Sequence, residues 1–126
     1  ETTTSINDFC ADKSLKPDLI KLDVEGAEVR ILPSISDSIL KNITLYLEFH
    51  VPQIKNDFGE DPLELLDFLF KKFRSIEFNR NHWGDFKGVP TGKWEKLPQK
   101  EIEDVIVQIL NGESKPRGFG LILSNR

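Results

Sequence analysis

Methionine is missing from all 126 residues, and with it an initiator; the chain opens Glu1-Thr2-Thr3 and reads as a piece excised from a longer protein. Cysteine is nearly missing too. Cys10 stands alone, so no internal disulfide can form and a secreted disulfide scaffold is excluded. No apolar run approaches the ~20 residues that span a bilayer, and no signal peptide is visible. The expected location is cytoplasmic, with no membrane span. Clusters of positive charge are also lacking: the formal net charge is -4, and Lys71-Lys72 is the only adjacent basic pair. That leaves no electrostatic footprint for nucleic acid. There is no internal repeat, no low-complexity tract and no linker, so the chain is expected to be a single domain.

What is present is a globular composition, 38% hydrophobic and 30% charged. Residues 2–9, rich in β-branched side chains, read as an extended entry, followed by a short helical turn within 8–16. Lys16-Pro17-Asp18 is a turn signal. Asp18 to Val24 reads as a strand whose Leu19, Ile20, Leu22 and Val24 put apolar groups on both faces, as a strand covered by helices on both sides requires. Gly26 breaks it, and Ala27 to Leu32 follow as a helix ended by Pro33. A second short helical piece spans 36–41. Ile43 to His50 alternates as a strand, with Leu45, Leu47 and Phe49 on one face and Tyr46, Glu48 and His50 on the other. Val51-Pro52 is expected to close it.

Asp61-Pro62 is a good helix opening, since Asp caps well and Pro suits the first turn. Leu63, Leu65, Leu66, Leu69, Phe70 and Phe73 then form an apolar stripe at helical spacing. Ser75 to Asn79 is a short strand. Residues 80–98 read as a long aromatic-bearing loop, the kind that tends to carry function. Gln99 to Leu110 is an amphipathic helix stopped by Gly112, and Phe119 to Leu123 a final strand. The alternation of strands and helices predicts an α/β domain with a largely parallel sheet.

Ligands of open α/β sheets bind beyond the carboxyl ends of the strands. The first strand ends Asp23-Val24-Glu25-Gly26. Asp23 and Glu25, two apart, share a side if both remain extended, and Gly26 permits a sharp turn and close approach of a ligand or backbone. Glu28 falls in the first helical turn, where a carboxylate is favoured by the helix dipole. Glu25 and Glu28 could do no more than stabilise that helix start. Asp23, at the end of a buried strand, needs partners. Glu48 and His50 share a side at the end of the next strand. Together these groups could do acid–base work, because His titrates near neutral pH, or hold a divalent metal; His50 could equally be a satisfied, hydrogen-bonded strand end. Trp83 and Trp94 could line a substrate pocket or cap the core.

Three segments resemble FkbM-type methyltransferases: Ser5-Ile6-Asn7-Asp8-Phe9; Pro17-Asp18-Leu19-Ile20-Lys21-Leu22-Asp23-Val24-Glu25-Gly26-Ala27-Glu28; and Leu45-Tyr46-Leu47-Glu48-Phe49-His50. The middle segment carries every fixed position of that family's D-[LFV]-[IL]-K-[IL]-D-[VI]-E-G-[AY]-E pattern. Asn7 departs from the family's usual Asp, and Pro33 stands where the family continues its helix with Lys or Arg.

The resemblance implies part of a Rossmann-like, three-layer fold with a mostly parallel sheet. Its last strand would be antiparallel, inserted between Ile43–His50 and Ser75–Asn79. It implies S-adenosylmethionine as methyl donor and a hydroxyl of a sugar, lipid or natural product as acceptor. This chain would be the C-terminal portion of the domain, lacking the N-terminal donor-binding strands. On that mapping Asp23 and His50 are the candidate catalytic residues, and Glu25, Glu48 and Trp83 face the acceptor. Asn7, Asp8 and Gly26 lie toward the donor, and no metal is implied. Two rivals remain. One is a non-catalytic module, which could dimerise through an exposed sheet edge. The other is a metal-dependent hydrolase built on Asp23, Glu25, Glu48 and His50.

Overall fold

A computed structural model describes residues 3–80, 92–113 and 117–126. The chain enters through helix α1, Ile6–Asp12, where an extended entry was expected. Ser5 explains the difference: its Oγ accepts from the Asp8 N–H at 3.0 Å, a side-chain cap that outweighs the β-branched composition. Strand β1 covers Leu19–Leu22, shorter than expected at both ends. Helix α2 follows at Glu28–Ile31, tightens into a 3-10 turn at Leu32–Ser34 around Pro33, and gives way to α3, Asp37–Leu40.

Strand β2, Thr44–His50, runs directly into helix α4, Val51–Phe58. The sequence reading had Val51-Pro52 closing the segment. Pro52 instead sits in the first turn of α4, where its missing N–H costs nothing, and Gly59 ends that helix with φ of 65°. Helix α5, Pro62–Lys72, opens as expected on Asp61, whose carboxylate accepts from Leu63 N at 2.9 Å. Strand β3, Ser75–Asn79, helix α6, Gln99–Leu110, and strand β4, Gly118–Ser124, complete the order.

The strands form one sheet in the order β1-β2-β4-β3. β1 pairs with β2 in parallel, while β4 is antiparallel to both β2 and β3. β1, β2 and β3 therefore point the same way, yet β4 lies between two of them. Among the described residues only one neighbouring pair is parallel, so the sheet is mixed and the expectation of a mostly parallel sheet fails. The antiparallel insertion of the last strand is met.

The registers stack one apolar face. Leu45 lies opposite Leu123, Leu47 opposite Leu121 and Phe49 opposite Phe119, all fully buried. The Phe49 and Phe119 rings stack at 4.9 Å between centroids. Leu65, Leu66 and Leu69 of α5 and Ile102 and Ile106 of α6 join the same core. On the other face, Tyr46 and Glu48 of β2 are half-buried, and Trp94 tilts onto Tyr46 at 5.8 Å. The expectation that β1 is covered on both sides also fails: Leu19 is 63% exposed, whereas Leu22 is buried. β1 is an edge strand, and its alternation leaves Leu19 on the uncovered side.

Candidate active site

Because β1 and β2 are parallel and paired through Leu22 and Leu47, their carboxyl ends finish side by side. Asp23 leaves β1 there, and Glu48 and His50 close β2. The condition under which Asp23 and Glu25 would share a side, that both remain extended, is not met. The chain turns instead, with Glu25 at φ of 55° and Gly26 at φ of 102°, and Ala27 N donates to Val24 O at 3.1 Å. The turn, rather than a strand alternation, brings Asp23 and Glu25 to the same place.

Glu28, at the start of α2, folds back under this turn with no exposure to solvent. Its Oε2 accepts from Gly26 N at 2.9 Å, and its Oε1 accepts from His50 N at 2.8 Å. The same Oε1 lies 3.0 Å from His50 Nδ1. His50 is itself only 3% exposed. Its Nε2 lies 3.4 Å from Asp23 Oδ1 and 3.8 Å from Glu48 Oε2. The Asp23 side chain is 40% exposed and opens this cluster to solvent.

The electrostatics follow from this crowding. Partial burial, then a hydrogen bond and repulsion from Glu48, raise the Asp23 carboxyl above the usual carboxylate range; His50 and Lys21 oppose the shift. For His50, burial works against the charged ring. The Glu28 carboxylate, followed by Glu25 and Asp23, outweighs it and raises the imidazole. Nearby, burial and then Glu48 raise the Tyr46 phenol. Perturbed groups of opposite type meeting at a sheet's carboxyl edge are the arrangement acid–base chemistry uses. One oxygen each of Asp23 and Glu25 and one ring nitrogen of His50 lie within 4.8 Å of one another, so the same place could hold a divalent cation. A separate cleft, lined by Lys16, Asp18, Lys41, Asn42 and Arg126, lies where β1 and β2 begin, and it brings together no comparable acid–base pair.

The model of the methyltransferase FkbM domain matches residues 1–81. The chain belongs to the FkbM methyltransferase family. Asp23, Glu25, Glu28, Glu48 and His50 all fall inside the matched segment of this FkbM chain. No curated protein and no solved structure matches it.

Of the residues read from the sequence, Asp23, Glu25, Glu48 and His50 come together. Trp83 lies outside the described residues. Asn7 is engaged at both ends of its amide, donating to Ser34 O at 2.8 Å and accepting from Ser36 N at 2.9 Å. Asp8 is exposed on α1. Gly26 faces α4, where a Cβ would meet Gln53 and Phe58. The sequence reading missed that Glu28, beyond serving its own helix, buttresses His50. The available signal was a carboxylate just past a strand-ending glycine, facing an imidazole at the end of the next strand.

Proposed function

We propose that the chain is the acceptor-side portion of a single S-adenosylmethionine-dependent O-methyltransferase domain. The observation that carries this reading is a buried imidazole enclosed by Asp23, Glu28 and Glu48 at the carboxyl edge of the sheet in an FkbM-family chain. S-adenosylmethionine would supply the methyl group, with Asn7, Asp8 and Gly26 as the candidate residues toward it.

This chain's own residues act on the acceptor. A hydroxyl that becomes an ether must lose its proton, and a positioned base assists that loss by about 10²- to 10⁴-fold. His50 Nε2 takes that proton, or passes the role to Asp23 beside it. Glu25 and Glu48 accept hydrogen bonds from neighbouring hydroxyls, which suits a polyhydroxylated small molecule or glycan. Holding the acceptor oxygen in line lowers the barrier further.

The test is transfer of a labelled methyl group from the donor to a panel of hydroxylated acceptors by the full-length protein, comparing wild type with Asp23→Asn and His50→Ala. Turnover should collapse in at least one variant. Wild-type turnover in both would overturn the assignment.

A second reading, a module that associates with another copy of itself, draws on the exposed Leu19 and the open edge of β1. Sedimentation over a concentration series, with Leu19→Glu as control, separates the two. Self-association abolished by Leu19→Glu, without donor binding by calorimetry, favours the module.

A further inference from the structure

Glu28 is a fully buried carboxylate. Burial of such a group is costly unless its lone pairs meet donors. Glu28 meets that requirement with backbone N–H groups on both oxygens, Gly26 N on Oε2 and His50 N on Oε1. A backbone N–H is a donor at every pH of interest. Three nitrogens thus converge on two oxygens, and a carboxylate in its ionised form, which only accepts, satisfies all three at once. The third neighbour, His50 Nδ1 at 3.0 Å, is left to supply a hydrogen rather than receive one. A neutral imidazole with hydrogen on Nδ1 has its lone pair on Nε2.

We propose that Glu28 is a positioning residue that fixes His50 as the Nδ1–H tautomer and turns its Nε2 lone pair toward Asp23 and Glu48. The role in turnover rests on the methyl-transfer reading; the tautomer does not. The same carboxylate ties together the two chain segments that build the cluster. Gly26 belongs to the turn that carries Asp23 and Glu25, and His50 ends the strand that carries Glu48. One buried side chain thus sets both the ring's orientation and the placement of the groups that face Nε2. Among the described residues those groups include Asp23 and Glu25 from the turn after β1 and Glu48 from β2, with Lys21 acting on Asp23.

The test reads the ring directly. In ¹⁵N-labelled wild-type protein, held above the titration of His50, the neutral ring should show a protonated Nδ1 and an unprotonated Nε2. Glu28→Met keeps the length of the side chain and removes the acceptor, and should release the ring from the Nδ1–H form. Turnover should fall by about 10²- to 10⁴-fold, the contribution of a general base, with kcat affected more than KM. Glu28→Asp, which keeps the charge, should recover part of the tautomer preference. A wild-type ring protonated at Nε2, or a folded Glu28→Met protein that keeps the Nδ1–H form, overturns the proposal. If Glu28→Met does not fold, the wild-type spectrum alone decides. A ring locked as stated, together with undiminished turnover in Asp23→Asn and His50→Ala, upholds the role of Glu28 and overturns the methyl-transfer mechanism.

Discussion

A Cβ built on Gly26 would stand 2.8 Å from the Cβ of Gln53, closer than such atoms approach one another. The turn after β1 and the first turn of α4 are thus in contact through a position that admits only hydrogen. Gly26 also holds φ of 102°, which L side chains rarely adopt. Gly26→Ala should therefore destabilise the fold twice over, by backbone strain and by displacing α4. Strain of this kind costs about 1–3 kcal/mol. For a domain of this size each kcal/mol moves Tm by roughly 2–8 °C. A thermal melt within error of wild type would mean that α4 yields without cost.

Glu25, one residue earlier, is a non-glycine residue in the left-handed region, with φ of 55°. Such a conformation is tolerated only where the surroundings enforce it, and it gathers at functional sites. Here it brings a carboxylate into the group formed with Asp23 and His50. Glu25→Gly should leave stability unchanged or raise it by up to about 1 kcal/mol, because glycine adopts that region freely. It should also weaken acceptor binding, seen as a higher KM. A stability loss above about 1 kcal/mol would show that the carboxylate supports the fold rather than the site.

Much of the fold was legible because its signals are local. Asp61-Pro62 and the apolar stripe behind it mark α5, the spacing of Ile102, Ile106 and Ile109 marks α6, and the alternation of Leu45, Leu47 and Phe49 marks the buried face of β2. Where local signals competed, the reading failed. Pro52 looked like a stop and is a helix start, and β-branched residues hid the cap at Ser5. The insertion of β4 between β2 and β3 depends on contacts distant in sequence, and only the family resemblance anticipated it. The same holds for the site. Asp23, Glu48 and His50 were found from strand ends, but Glu28 becomes a partner of His50 only once two parallel strands lie side by side.

The pH dependence has a definite sign. His50 is raised above its ordinary 6.5 and Asp23 above its ordinary 3.8. A group that binds its proton more tightly when folded adds stability that is complete below its unfolded pKa and is lost as pH rises through its folded one. Stability should therefore fall as pH climbs from about 6.5 through the titration of His50, and a separate fall should begin above about 3.8 from Asp23. Denaturant unfolding across pH 4 to 9 would read the slope, and His50→Gln should remove its upper part. Turnover should move the opposite way, rising as Nε2 loses its proton. A wild-type slope that survives in His50→Gln would assign the dependence to other groups.

The same lone pair decides whether the cluster can use a cation. A divalent ion bridging Asp23, Glu25 and His50 would take the Nε2 electrons, and an imidazole so engaged cannot also accept a proton from the acceptor hydroxyl. The base mechanism and a resident metal at this position therefore exclude each other. If His50 is the base, a chelator leaves methyl transfer unchanged, while added Mn²⁺ lowers it in competition with the acceptor, and Asp23→Asn weakens that inhibition. If activity instead disappears with the chelator and returns with one equivalent of metal, His50 is a ligand. Proton removal would then fall to Glu48, and the hydrolase reading would regain its standing. Turnover with and without chelator, followed by a metal titration read through the ring signals of His50, distinguishes the two outcomes in one preparation.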